Sequence, residues 1–343
     1  LNKKLRLMLT GGLALVLSVQ LAACGNSKED GGTAKPESVT IGYQDIPNDE
    51  IVAKAKGWYE AELGVPVNFK KFDSGRDVNT AFASKSIDIG LMGSTPASVG
   101  IATGLEYEVF WIHDVIGAAE ALAVKNSSGV NSVKELAGKK VAVPFSSTAH
   151  YSLLNALELE GVNLADVQIL DMQPNDIFAA WQRGDIDAAY VWNPVLGELL
   201  KDGKVLTDSG KLAEQGIVTA DVGVVSKAFA GKYPELVAKY IKVQSKAHDL
   251  YTSNPDEAGD ALAKGLNISK SEALKQTGDL IWLSASEQLS SKYFGPSDSK
   301  GDLASILKAT ADFLVEQKAL EKAPDLEAFE QGINSAYIER SLK

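Results

Sequence analysis

Cysteine is the scarcest residue of the 343: there is one, Cys24. A single thiol excludes an internal disulfide framework and any zinc site built on cysteine. Histidine is nearly as rare, with only His113, His150 and His248. They are scattered, and no Ser/His/Asp or His/Glu spacing marks a nucleophile with its base or a metal site. No Walker sequence and no G-x-G-x-x-G run occurs, which removes the common phosphate-cradling loops. "GRD" at 75–77 and "RGD" at 183–185 are short enough to arise by chance, and the second reads as a helix end. Catalytic chemistry is therefore not expected: no catalytic residue, no metal and no cofactor. Basic charge is in short supply too. Lys and Arg number 34 against 45 Asp and Glu, a formal charge of -11, and an acidic body is a poor partner for nucleic acid or anionic lipid. After the first two dozen residues no long apolar run exists, so nothing further along is expected to span a membrane.

What is present begins at the N-terminus. Lys3, Lys4 and Arg6 precede an apolar run from Leu7 to Leu21, and "LAAC" follows at 21–24. A basic flank, a short apolar core and small residues before a cut point predict a signal peptide over 1–23. The "LAAC" ending resembles the lipobox of bacterial lipoproteins, in which the cysteine is lipidated and becomes the new N-terminus. Cys24 is accordingly the expected lipidation site. "GNSKEDGGTAKPES" at 25–38 is polar and rich in Gly and Ser, a composition that cannot bury apolar surface, so 24–38 reads as a lipidated flexible tether. The expectation is an extracytoplasmic body anchored to the cell membrane. Removing the signal with its three cations takes the charge from -11 to about -14.

From Val39 onward short apolar runs alternate with helical patterns, which predicts an α/β architecture. Strands are read at 39–44, 67–73, 87–93, 107–114, 139–145, 167–172, 186–192 and 204–208, with further apolar runs at 119–125 and 221–227. Glu50 to Leu63 and Val78 to Ala83 read as helices, and the chain from about Phe229 is nearly all helical in pattern. The length from Val39 to Lys343 is too great for one ordinary core and predicts two lobes. A recurrence supports this: "FASKSIDIGLMGSTP" and "WQRGDIDAAYVWNP" each run from a helix end through a polar turn and "I-D" into a strand with a small or aromatic polar corner. The crossings between lobes are expected near 121–126 and 222–227, giving 39–122 with 223–343 as one lobe and 123–222 as the other.

Several strands end in the same kind of residue. These ends are Gln44, Asp73-Ser74-Gly75, Gly93-Ser94-Thr95-Pro96, Ser146-Ser147-Thr148 and Trp192-Asn193-Pro194. Ligands of open α/β sheets sit outside the carboxyl ends of strands. Hydroxyls there, with helix N-termini behind them, make a donor-rich pocket for an anion, although any one such turn is also an ordinary helix cap. Glu120 precedes one crossing and Asp221 the other. If the crossings run side by side, both carboxylates reach the cleft floor and could receive a cation. Trp192 and Tyr151 are candidate walls, and Trp181 is assigned to packing.

"FDSG" (72–75), "MGSTP" (92–96), "VPFSSTAHYSLL" (143–154), "AAWQRGDIDAAYVWNP" (179–194), "KDGKVLTDSG" (201–210) and "TADVGVV" (219–225) resemble the taurine-binding proteins of bacterial ABC importers. These sit within the wider sulfonate and nitrate group of solute-binding proteins. The resemblance runs from about Val39 to Lys343 and is densest over 141–225. It implies a two-lobed periplasmic-binding-protein fold of type II, with two mixed sheets, two hinge crossings and C-terminal helices. It further implies a monomer that clasps taurine or a related aminosulfonate between its lobes and hands it to the permease of an ABC importer. Ser147 and Thr148 would hold sulfonate oxygens from one lobe, and Ser74, Gly75, Ser94 and Thr95 would line the cleft from the other. Asp221 would bind the ammonium, and Glu120 matches a second acidic position. Donors are thus expected at one side of the cleft and carboxylates at the other. Two departures from the pattern, Asn193 and Gly223, would widen the pocket. The runner-up implied by the wider group is a receptor for plain alkanesulfonates; an enzyme recruited from this fold is the alternative of a different class.

Overall fold

In the computed structural model residues 35–343 are described; the expected signal segment, Cys24 and the expected tether up to residue 34 lie outside the described residues. The strands are β1 (Val39–Tyr43), β2 (Val67–Lys71), β3 (Ile89–Gly93), β4 (Tyr107–Ile116), β5 (Glu120–Lys125), β6 (Lys140–Val143), β7 (Gln168–Asp171), β8 (Ala188–Trp192), β9 (Gly203–Asp208), β10 (Ala220–Ser226) and β11 (Leu280–Ile281). They form two mixed sheets, of order β11-β4-β10-β3-β1-β2 and β7-β6-β8-β5-β9. In the first, β1 runs parallel to β2 and β3 while β10 is antiparallel to β3 and β4. In the second, β6 runs parallel to β7 and β8 while β5 is antiparallel to β8 and β9. Among the described residues no helix is long and apolar enough to cross a membrane.

The recurring "I-D" has a physical use. Asp88 accepts from the Thr40 N–H at 2.8 Å while its own N–H donates to the Thr40 carbonyl at 2.9 Å. Asp187 does the same to Lys140, at 2.9 and 3.0 Å. In each sheet this clamp fixes the register of the central strand against the first parallel strand, β3 on β1 and β8 on β6.

Each sheet is sandwiched by helices, so its central strands are buried on both faces and read as unbroken apolar runs. In the second sheet Leu153 and Leu157 of the helix Thr148–Leu159 pack with Val141, Val143 and Tyr190. On the other face, small Ala123, Ala142 and Ala189 leave room for Trp181 of the helix Pro174–Arg183. The first sheet has the larger core, with Trp111, Phe110, Tyr107 and Tyr240 all buried. Each fully buried large apolar side chain contributes roughly 1.5–3 kcal/mol.

Three local readings are corrected. The helix expected over 50–63 is two, Asp49–Lys56 and Trp58–Leu63, because Gly57 takes a left-handed conformation (φ 67°) and ends the first. The strand expected to reach Asp73 stops at Lys71, and the next helix starts at Gly75. β11 had no counterpart in the sequence reading, since two residues show no periodicity. The chain leaves the first sheet after Ile116 and joins the second at Glu120; it returns between Asp208 and Ala220. The divisions expected at 122/123 and 222/223 fall inside β5 and β10, each of which belongs to one sheet.

Candidate functional site

The carboxyl ends of β1 and β3 face those of β6 and β8 across a cavity of about 430 Å³. Because β5 and β10 run antiparallel to their neighbours, their N-terminal ends lie at the same edge. That direction is what delivers Glu120, the first residue of β5, and Asp221, the second of β10, to one cavity. The crossings run side by side, as the Ile116 N–H donating to the Thr219 carbonyl at 3.0 Å demonstrates.

Three helices begin at this cavity. Gly75 opens the helix Gly75–Ala83, Gly93 caps the helix Ser94–Ala102, and Ser147 caps the helix Thr148–Leu159; all three residues are in the wall. The first-turn N–H groups of a helix lack intrahelical acceptors and carry the positive end of its dipole. Gly93 also lies close against the start of the helix Thr148–Leu159, since a Cβ there would lie 2.6 Å from Thr148 Cγ2.

Of the expected site residues, Gln44, Gly75, Glu120, Ser147, Thr148, Trp192 and Asp221 line the cavity. Four do not. Ser74 Oγ turns back to Asp77 Oδ2 at 3.3 Å. Ser94 Oγ accepts from the Ala220 N–H at 3.2 Å, and Thr95 is wholly buried away from the wall. At these helix starts the side chains fold inward and leave Gly93 and Pro96 at the cavity wall. Tyr151 stacks edge-on against Phe313 at 5.3 Å, on a helix contributed by the C-terminal part of the chain.

The two hydroxyls expected to hold an anion are already engaged. Ser147 Oγ donates to the Pro144 carbonyl at 2.6 Å and accepts from the His150 N–H at 3.1 Å, so it is the helix cap. Thr148 Oγ1 donates to Glu120 Oε2 at 2.5 Å. Donors and carboxylates are thus interleaved in the wall and not segregated to opposite sides, and the anion-binding capacity resides in the backbone N–H groups. His150 stacks on Phe145 at 4.5 Å, and burial lowers its pKa to about 4, so it brings no charge.

The electrostatics are one-sided: the wall holds Glu120 and Asp221 but no Lys, Arg or His. Burial raises the pKa of Glu120 to about 7, against the pull of hydroxyls from Thr148 and Ser209, the latter donating to Oε1 at 2.8 Å. Burial, and then the adjacent Asp114 carboxyl, hold Asp221 well above the usual carboxylate range. Sequence reasoning missed Ile46, Ile116, Ala119 and Leu280, which supply the apolar part of the wall. Ile116 and Ala119 flank Glu120 in the chain and could have been found from it; Leu280 comes from a remote segment with no such signal. Asn193 does line the cavity, with Oδ1 accepting from the Gly197 N–H at 3.1 Å. Gly223 does not: Trp111, His113 and Phe110 fill the space a side chain would take there. This enclosure, with helix N-termini for an anion and carboxylates for a cation, can hold a small zwitterion.

A family model described as NMT1/THI5 like matches residues 49–258. The taurine-binding periplasmic protein of Escherichia coli K12 is 40% identical over 286 residues, 83% of this chain and 88% of the relative. A putative aliphatic sulfonates-binding protein of Bacillus subtilis 168 is 27% identical over 97% of each. The solved alkanesulfonate-binding protein of Xanthomonas axonopodis pv. citri, bound to MOPS, has the same fold, with a TM-score of 0.73, 21% identity, and coverage of 88% of this chain and 99% of that one. The chain belongs to the NMT1/THI5-like family and has the periplasmic-binding-protein fold.

Proposed function

We propose that this protein is the solute receptor of an ABC importer and that it captures taurine, or a close aminosulfonate, between two hinged lobes built on the two sheets. The observation that carries the reading is the composition of the cavity wall: three helix starts and two buried acids, with no basic side chain. The sulfonate takes first-turn N–H groups of those helices, and such charged hydrogen bonds contribute roughly 1.5–3 kcal/mol each. The ammonium takes Asp221 and Glu120. A plain anion would face those two acids with nothing to offset them. The identity to a relative named for taurine supports the same choice.

Closure is a hinge motion at residues 117–119 and along the return crossing, with ligand contacts to both sheets stabilising the closed state. Three polar contacts join the sheets' flanking segments at the rim: Arg76 with Asp171 at 2.7 Å, Gln173 with Asp77 at 3.2 Å and Asn175 with Asp73 at 3.5 Å. Lipid on Cys24 anchors the protein to the outer face of the cell membrane, where as a monomer it passes its ligand unchanged to the permease. It is a receptor, not an enzyme.

Calorimetric titration of the purified protein with taurine, ethanesulfonate and β-alanine tests this. Taurine is expected to bind far more tightly than the other two, because only it presents both a sulfonate and an ammonium. Equal or tighter binding of ethanesulfonate would make the protein a general alkanesulfonate receptor, and recovery of chemically altered ligand would make it an enzyme.

A further inference from the structure

Behind the cavity wall lies a second layer of acid. Asp114, on β4, stands directly opposite Asp221 of β10 in the antiparallel register. It is fully buried and does not reach the cavity. Directly opposed residues of an antiparallel pair project to the same face of the sheet, so the two carboxyls are neighbours. Two like charges side by side and out of water disfavour ionising both, so the arrangement favours keeping one proton. Asp114 Oδ2 accepts from Asn48 Nδ2 at 3.0 Å, while Oδ1 finds no donor among the described residues.

The charged groups around the couple reinforce this. The helix Asp49–Lys56 brings Asp49 and Glu50, β4 brings His113, β5 brings Glu120, and β3 presents only Gly93 opposite Asp221. His113 is the one base, and its Nδ1 is turned to Asp49 Oδ1 at 2.6 Å; Asp49 Oδ2 accepts from Trp111 Nε1 at 3.0 Å. Glu50 accepts from the Tyr240 hydroxyl at 2.7 Å.

We propose that Asp114 and Asp221 share one proton in the empty protein, that Asp114 is a positioning residue for Asp221, and that capture of an amine-bearing ligand drives the proton out to solvent. This rests on the reading of the cavity as an aminosulfonate site. In balanced form, the neutral Asp221 carboxyl and the ligand ammonium become a carboxylate–ammonium pair plus one free proton. An alkanesulfonate without an amine leaves the proton in place. Burial, which raises both carboxyls and brings Asp114 to about 7, acts in the same direction. Because binding releases a proton, taurine affinity falls as pH drops below the range in which the couple ionises, by about tenfold per pH unit.

The test is calorimetry of the purified protein at mildly acidic pH in buffers of different ionisation enthalpy, which counts protons. Taurine is expected to release about one proton and ethanesulfonate none. In Asp114→Asn the amide can donate to Asp221 without a shared proton, so release should vanish and the pH dependence flatten. In Glu120→Gln release should persist, which separates the couple from the other buried acid. Taurine binding with no proton exchanged, or unchanged release in Asp114→Asn, overturns the inference. Absence of taurine binding would instead sink the reading of the site. The proton count on the unsubstituted protein stands even if a variant fails to fold.

Discussion

Strand for strand, β2-β1-β3-β10-β4 of the first sheet matches β7-β6-β8-β5-β9 of the second, with the same parallel and antiparallel pairings. Each has the aspartate clamp, and each sends one acid to the cavity from the start of its antiparallel strand. The surroundings of those acids differ. Glu120 is held by neutral hydroxyls, Thr148 on one oxygen and Ser209 on the other, with Tyr190 and Ser152 both 3.2 Å from Ser209 behind them. Asp221 has another carboxyl as its neighbour. Burial raises both acids, but Glu120 has a hydroxyl donor on each oxygen while Asp221 has a carboxyl beside it. A shared topology placed both groups, and side chains outside the repeat give them different settings.

The sharpest way to break this comparison is to neutralise each acid in turn. Asp221→Asn is expected to weaken taurine binding by about 2 kcal/mol or more, as for loss of a desolvated charge partner. Ethanesulfonate should be nearly unaffected, and Glu120→Gln should cost taurine less, since its hydroxyl donors can serve the amide oxygen. Calorimetry on the two ligands decides. Equal weakening of both by Asp221→Asn would show that the residue is structural.

The next test concerns where the two sheets meet. A methyl group at residue 93 would press on Thr148 Cγ2 at 2.6 Å, and overpacking of this kind costs about 1–3 kcal/mol. Gly93→Ala should therefore weaken every ligand alike by opposing closure. Adding Thr148→Ser removes the opposing methyl while keeping the hydroxyl that Glu120 accepts, and should restore affinity. If the double variant binds no better than Gly93→Ala, the contact does not limit closure.

The ten longer strands were legible because burial on both faces leaves an unbroken apolar run that needs no knowledge of its partner. Strand ends were less so: Asp73 was read into β2, although Phe72 and Asp73 already belong to the turn. Glu120 and Asp221 could be found because each precedes an apolar run that has no other use for a charge. Tyr151 was misplaced because its partner, Phe313, is remote in sequence, and helical periodicity says that a face is buried but not against what. Ser74 and Ser94 turn to nearby polar groups, Thr95 Oγ1 is buried without a partner among the described residues, and the residues that reach the cavity are their neighbours Gly75, Gly93 and Pro96. Asp114 gives no signal in the sequence, because "H-D" carries no informative spacing; its meaning comes only from standing opposite Asp221.

The smallest effect tests the repeat itself. Asp88 and Asp187 occupy the same position in the two sheets and make the same pair of bonds, to Thr40 and to Lys140. Both are only partly buried, so removal of the carboxylate acceptor should cost about 1 kcal/mol at either site. Asp88→Ala and Asp187→Ala are then expected to lower the urea midpoint by similar amounts. Asn at either position keeps an acceptor oxygen and should cost less. Hydrogen exchange locates the loss: amides near Thr40 should lose protection in the first variant and those near Lys140 in the second. Loss confined to the substituted half would mean that the sheets are separate cooperative units, each held in register by its own clamp. Loss spread over both would mean that the sheets stand or fall together, and that the repeat is one of topology without independent stability.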